Sequence, residues 1–155
     1  MRLTVHTDYA LRLLMYLALK RDGYATISEI ASRYGISKNH LMKVAYRLGT
    51  AGYIDTVRGR SGGLRLARPA EAISLGNIVR ETEPDMALVP CFKPVEADCA
   101  ILPSCALRSA LGRATAAFLR VLDEYSLGDL VKQRAPLRNL LSIEPVRRPA
   151  ARARP

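Results

Sequence analysis

Every cysteine of the chain falls in one stretch, PCFKPVEADCAILPSC, at Cys91, Cys99 and Cys105: three thiols in fifteen residues and none among the rest of the 155. Thiols gathered this way can hold a metal, exchange disulfides or lie buried and inert. The spacing C-x7-C-x5-C lacks the close Cys pair of zinc fingers and ribbons, so zinc stays open without being favoured. A thiol-based redox enzyme is disfavoured. There is no CxxC pair, no His beside a Cys, and only two histidines in all, His6 and His40. Thiolates also bind iron-sulfur clusters, whose irons want four ligands each. Three cysteines leave one iron to be held by something else.

The setting bears on that choice. Asp8 and Arg12 interrupt the first apolar run, and no eighteen-residue uncharged apolar stretch occurs, so neither a signal peptide nor a membrane span is expected. A cytoplasmic, reducing location follows as the expectation. There an odd number of cysteines suits metal or redox chemistry better than a disulfide framework. Hydrophobic residues make up 49% of the chain, enough for a real core.

Net charge is +10 but is unevenly spread: +8 over residues 1–70, −3 over 71–125 and +5 over 126–155. Charge alone speaks to non-specific association and not to fold, so the elements that carry it must decide. A first helix is expected from a Thr7 cap to about Lys20, with Leu11, Leu14, Met15 and Ala18 on one stripe. TISE, Thr26 to Glu29, has the form of a capping box and opens a second helix. Gly35 supplies its left-handed stop, and Ser37 caps a third. In that third helix Leu41, Val44, Ala45 and Leu48 form the buried stripe. Lys38, Asn39, His40, Lys43 and Arg47 are left on or beside the other face, as in a recognition helix whose N-terminal residues read base edges in the major groove.

YIDTV and LRLA then read as two short strands around RGRSGG, a glycine-tipped turn carrying Arg58, Arg60 and Ser61. A basic hairpin after a helix-turn-helix is a wing. The competing use of such a loop, cradling a nucleotide, is disfavoured by the absence of GxxxxGKS or GxxxxGKT. Ser74 caps a short helix ending near Thr82 and Pro84. From Ser104 a long helix carries Leu107, Leu111, Ala114, Phe118, Val121 and Tyr125, stepping by 4, 3, 4, 3, 4. That is an a/d seam suited to helix-helix dimerisation. The expected architecture is mainly α with a small β-wing. It comprises a winged helix-turn-helix domain over 1–83, a cysteine loop over 84–103, a dimerisation helix with a short following helix over 104–135, and a basic disordered tail over 136–155.

To about residue 144 the chain resembles the Rrf-type winged-helix regulators, and among them the nitric-oxide-sensing members. The resemblance rests on HTDYALRLLMYLAL, ISKNHLMKV, VRGRSGGLRL, EPDMALVPCF and the C-x7-C-x5-C loop. It implies a homodimer that binds a palindromic operator in double-stranded DNA, no enzymatic activity, and an iron-sulfur cluster of the 4Fe-4S type on Cys91, Cys99 and Cys105. Asp8 of the partner subunit is implied as the fourth ligand, with His6, Glu96 or solvent as rivals. It further implies repression that nitric oxide relieves. An iron-responsive regulator of the same family, or a zinc-stabilised one, is the alternative.

Overall fold

The computed structural model describes residues 2–20, 23–57, 59, 62–93 and 99–143. The expectations for Arg58, Arg60, Ser61, Glu96 and residues 144–155 fall outside the described residues.

Helix α1, Val5–Leu19, is capped by Thr4 and not Thr7: the Thr7 amide donates to Thr4 Oγ1 at 3.3 Å. Thr4 is the residue whose backbone is still extended (φ −65°, ψ 156°), which is what an N-cap requires. Thr7 lies fully buried inside the first turn. The expected stripe is also too narrow. Leu11 and Met15 are only half-buried, whereas Ala10, Leu13, Leu14, Tyr16, Leu17, Ala18 and Leu19 are buried. Helix α1 has neighbours on several sides at once, and a helix so surrounded shows little amphipathic periodicity.

Helices α2, Ile27–Tyr34, and α3, Lys38–Thr50, form as read. Thr26 and Glu29 make both bonds of the capping box, and Gly35 ends α2 at φ 64°, a conformation only glycine adopts freely. Ser37 occupies the N-cap of α3, but its hydroxyl makes no capping bond. The buried residues of α3 are Leu41, Val44, Ala45 and Leu48, and this stripe packs on α1 and α2.

Strands β1, Ile54–Val57, and β2, Gly63–Leu66, pair antiparallel with Ile54 opposite Leu66 and Val57 opposite Gly63. Leu64 bridges to Ala25 through two backbone bonds of 2.8 and 3.0 Å. A side chain at Gly63 would meet the Ala25 carbonyl at 2.8 Å. Glycine is therefore required there for the wing to approach the α1–α2 connection.

After a 3-10 turn at Ala70–Ala72, α4, Leu75–Thr82, begins at a Ser74 cap. Helix α5, Ala106–Asp123, returns the chain to the DNA-binding unit. Its exit is sewn on by Leu75 N–H to Tyr125 C=O at 2.9 Å and Leu127 N–H to Ile73 C=O at 2.8 Å. The expected seam changes at its end: Tyr125 lies beyond α5, in that connection. Helix α6, Leu127–Leu130, opens with a second capping box from Ser126 and Asp129.

One further helix contradicts the expected tail. Residues Arg134–Leu140 form α7, Leu137 and Leu141 pack against the core, and Ile143 is buried. Pro136 is tolerated because it stands in the first turn, where its missing N–H has no helical acceptor to lose.

A polar network crosses the α1–α2 contact. The Tyr16 hydroxyl donates to Glu29 Oε1 at 2.8 Å, and Lys20 Nζ reaches both Glu29 oxygens at 2.6 and 2.7 Å. Burial alone raises the Glu29 carboxyl, but the bonds from Lys20 and Tyr16 outweigh it and hold the group below its ordinary 4.5. Burial and the adjacent carboxylate push Tyr16 up to about 12. A carboxyl depressed in the folded state stabilises fully above its unfolded value and loses that contribution as pH falls through the folded value. Urea stability should therefore decline below about pH 4.5, with a shallower acid-side decline in Glu29→Gln. Identical slopes in the two proteins would show that the network carries no such contribution.

Candidate nucleic-acid interface and cysteine loop

Lys38, Asn39, His40, Lys43 and Arg47 are all exposed on α3, yet they are not equivalent. Arg47 turns toward α4: its Nε lies 3.5 Å from Glu81 Oε1, and it also donates to the Glu81 carbonyl. His40 stacks obliquely on Tyr9 of α1, ring centroids 6.1 Å apart. The outermost part of the face holds two residues that the sequence reading passed over, Met42, 50% exposed, and Tyr46, 79% exposed. Their signal was present. With residues 41, 44, 45 and 48 inward, a rotation of about 100° per residue puts 39, 42, 43 and 46 outward.

Between α1 and α3 lies a cavity of about 180 Å³ lined by Val5, His6, Tyr9, His40, Lys43 and Val44. His6 Nε2 is buried there without a hydrogen-bond partner. Burial, then the Arg47 charge, hold its pKa below the ordinary 6.5, with Glu83 opposing. Asp8 differs from this rival. It stands in the first turn of α1 with its side chain 46% exposed, and Oδ1 is paired to Arg12 Nε at 3.0 Å.

The cysteines lie between α4 and α5. Cys91 sits in a 3-10 turn, Pro90–Phe92, and is half-buried; Cys99 is exposed; Cys105 is half-buried. All three are free thiols. Cys105 is the N-cap of α5, and its Sγ accepts the Arg108 N–H at 3.4 Å. The Arg108 guanidinium lies 5.9 Å from the centre of the Phe92 ring, so the Cys91 end of the loop is laid along the opening turns of α5. Among the described residues no three His, Cys, Asp or Glu side chains are gathered closely enough to hold a metal ion. As a donor set, three free thiols in a loop nevertheless suit a thiophilic metal or cluster.

Two connections join this loop to the reader. Buried Glu83 accepts from Thr4 N–H at 2.8 Å and from the Thr4 hydroxyl at 3.1 Å, tying the segment before Cys91 to the start of α1. At the other end of α5, Asp123 forms a bidentate pair with Arg80 of α4 at 2.6 and 2.7 Å. This pair lies across Gly76, where any side chain would collide with the Asp123 carboxylate. The six expected seam residues behave as an unpaired face in the single chain. Helix α5 buries no residue; Leu107, Ala114, Val121 and Tyr125 are exposed, and Leu111 and Phe118 are half-buried.

A helix-turn-helix with a two-stranded wing, joined to a long helix with an apolar seam, defines a winged-helix transcriptional regulator. The Rrf2 family, described as an iron-dependent transcriptional regulator, matches residues 3–133, and the chain belongs to it. It is 49% identical over 145 residues to the HTH-type transcriptional regulator NsrR of Bacillus subtilis, covering 93% of this chain and 99% of that protein. Identity is 52% over 143 residues with NsrR of Geobacillus kaustophilus, covering 91% and 97%. Among solved structures, the global cysteine regulator CymR of B. subtilis superimposes with a TM-score of 0.70 at 28% identity, covering 86% of this chain and 98% of that one. T. potens IscR gives 0.69 at 24% identity, covering 89% and 91%, a likeness of fold. These relatives are regulators and not enzymes. Among the described residues no helix is long and apolar enough to cross a membrane.

Glu83→Ala should leave the Thr4 N–H and hydroxyl without their partner and destabilise the chain by about 1–3 kcal/mol in urea unfolding at neutral pH. A change within about 0.5 kcal/mol would mean that solvent replaces the carboxylate at no cost.

Proposed function

We propose that this chain is a homodimeric repressor that holds an iron-sulfur cluster, of the 4Fe-4S type, on Cys91, Cys99 and Cys105 with Asp8 of the partner subunit as fourth ligand. Nitric oxide acting there releases a palindromic operator in double-stranded DNA and derepresses genes of nitrosative-stress defence. The observation that carries this reading is the place of Cys105. It caps α5, the helix whose far end is fixed to the DNA-binding unit through Asp123, Arg80 and the Leu75–Tyr125 bond. The names of the roughly half-identical relatives support the same direction.

Cys91, Cys99 and Cys105, with Asp8 of the partner subunit, would hold the cluster, whose iron would supply the chemistry that takes up nitric oxide. The remaining work belongs to the chain. Asp8 rides on α1, whose Tyr9 lies against His40 of the recognition helix, so release of the carboxylate frees the helix that supports α3. The cysteine loop acts through α5 and α4, and Glu81 of α4 holds Arg47 of α3. Lys38, Asn39, His40 and Lys43 meet the major groove, Arg47 flanks them, and Arg58, Arg60 and Ser61 of the wing meet phosphate or the minor groove. A switch from mostly bound to mostly released takes about 5.5 kcal/mol of differential stabilisation, within the reach of a lost iron ligand. The family description, iron-dependent, favours a second reading in which cluster occupancy reports iron supply. Operator binding by anaerobic holoprotein that responds to iron chelation and ignores nitric oxide would select it.

The seam gives one prediction. With α5 contributing no buried residue, pairing with a second copy is its natural cover, and Leu111→Glu with Phe118→Glu should abolish dimers and operator binding together. A dimeric double variant in sedimentation would dismiss the seam.

Cluster assembly gives another. Serine at each of Cys91, Cys99 and Cys105 should remove visible cluster absorbance while far-ultraviolet circular dichroism stays that of a folded winged helix. Asp8→Ala should keep the cluster and disturb both operator affinity and the nitric oxide titration; Asp8→Cys should keep DNA binding and resist nitric oxide. Stoichiometric zinc without iron or sulfide in anaerobic wild type would sink the reading, and wild-type behaviour of both Asp8 variants would remove Asp8 from it.

Base readout is tested by Asn39→Ala, expected to relax preference at one base position by about 1–3 kcal/mol. Arg60→Ala should weaken all sequences alike and lower the salt slope by about 1. A uniform loss from Asn39→Ala would reverse the two roles.

A further inference from the structure

Two side chains on α3 are given no task by the cysteine loop or by the charged residues beside them. Met42 is 50% exposed and Tyr46 79% exposed, and a spacing of four residues makes them neighbours on one helix face. Single apolar residues scattered over a surface need no explanation. An adjacent pair on the outward arc of the recognition helix does. Among the described residues no hydrogen bond or ring contact engages the Tyr46 ring or hydroxyl; the Thr50 hydroxyl bonds only its backbone carbonyl, at 3.1 Å.

The rest of the face says what covers them. Lys38, Asn39, His40 and Lys43 are exposed around the pair, α3 carries no Asp or Glu, and residues 1–70 hold a net charge of +8. A second copy of the same face would set cation against cation. The apolar seam proposed for pairing lies on another element, α5. A polyanion is the electrostatic complement, and duplex DNA also meets the apolar requirement: the base edges of its major groove present one methyl group, on thymine. Cytosine instead offers an amino donor best accepted by a carboxylate, which this helix lacks.

We propose that Met42 and Tyr46 are specificity-determining residues that read thymine through its methyl group. The unbranched thioether chain of Met42 adapts to the methyl surface, and the Tyr46 ring supplies a broad, rigid one. The half-site facing α3 therefore carries thymine at the positions these two side chains meet. This deepens the proposed function: it rests on DNA reading by α3 and on nothing about the cluster or its signal.

The test first recovers binding sites from random duplex DNA with the anaerobically prepared wild-type chain. Thymines of one recovered half-site are then replaced singly by deoxyuridine, which removes the methyl group and leaves every hydrogen-bonding group in place. At two positions the replacement should weaken wild-type binding about fourfold, the value of one buried carbon. One of these effects should vanish in Met42→Ala and the other in Tyr46→Ala. Alanine is favoured at exposed helix positions, so both variants should show the far-ultraviolet circular dichroism of wild type. Neither should change the dependence of affinity on salt, since no phosphate contact is lost. Leu140→Ala, which trims an apolar residue 82% exposed on α7, should keep the full response to every replacement. Sites whose uracil forms bind wild type as well as the thymine forms would overturn the methyl reading alone, as would a response that persists in full in both α3 variants. Alanine variants that alter sedimentation and leave DNA affinity untouched would make this face a contact between protein copies instead. Failure to recover any site would overturn DNA reading by α3, and the proposal with it.

Discussion

Helix α1 buries eight of its fifteen residues, and the rest of the chain is arranged around that fact. Ala10, Leu13, Leu14, Tyr16, Leu17, Ala18 and Leu19 are all buried, covered by α3 on one side and by α4, α6, α7 and β2 on others. Close-packed interiors transmit displacement and do not absorb it. A helix held this way moves with its neighbours or not at all. Its N-terminus has Thr4 on Glu83 and Asp8 at the surface, and α3 is among its packed neighbours.

Helix α5 poses the complementary situation. None of its residues is fully buried in the single chain, and it is held by partial packing along α4 and by bonds at its end. The Arg80–Asp123 pair is exposed, and such a pair contributes little to stability by itself. Its value is geometric: with the Leu75–Tyr125 and Leu127–Ile73 backbone bonds it fixes the angle at which α5 leaves the DNA-binding unit. Gly76 is the residue that lets the pair lie flat across α4.

Much of this was legible in the sequence because the signals are local. The Thr26–Glu29 box, the Gly35 stop and the 41, 44, 45, 48 stripe each depend on residues within two turns of one another, and each appears as read. The Thr4 cap was missed because Thr4 and Thr7 are both plausible caps, and the choice is made by Glu83, seventy-nine positions away. Helix α7 was missed because Pro136 and the surrounding arginines read as a tail, whereas its anchoring by Leu137 and Leu141 on the core is a tertiary event. Met42 and Tyr46 share the outward arc of Asn39 and Lys43 but carry no charge to mark them. The count of thiols makes a metal-type donor set one reading of the loop, and their spacing does not select a metal. A fourth donor on another element, or another chain, leaves no trace in the periodicity of this loop.

The sulfur of Cys105 stands where helices commonly place a serine, threonine or aspartate, receiving the Arg108 amide as the first link of α5. A neutral thiol is a weak acceptor for such an amide, and a charged sulfur is a much better one. The same atom thus serves as chemical handle and as mechanical end-stop. Whatever alters the electron density on it also alters how strongly that first amide of α5 is held.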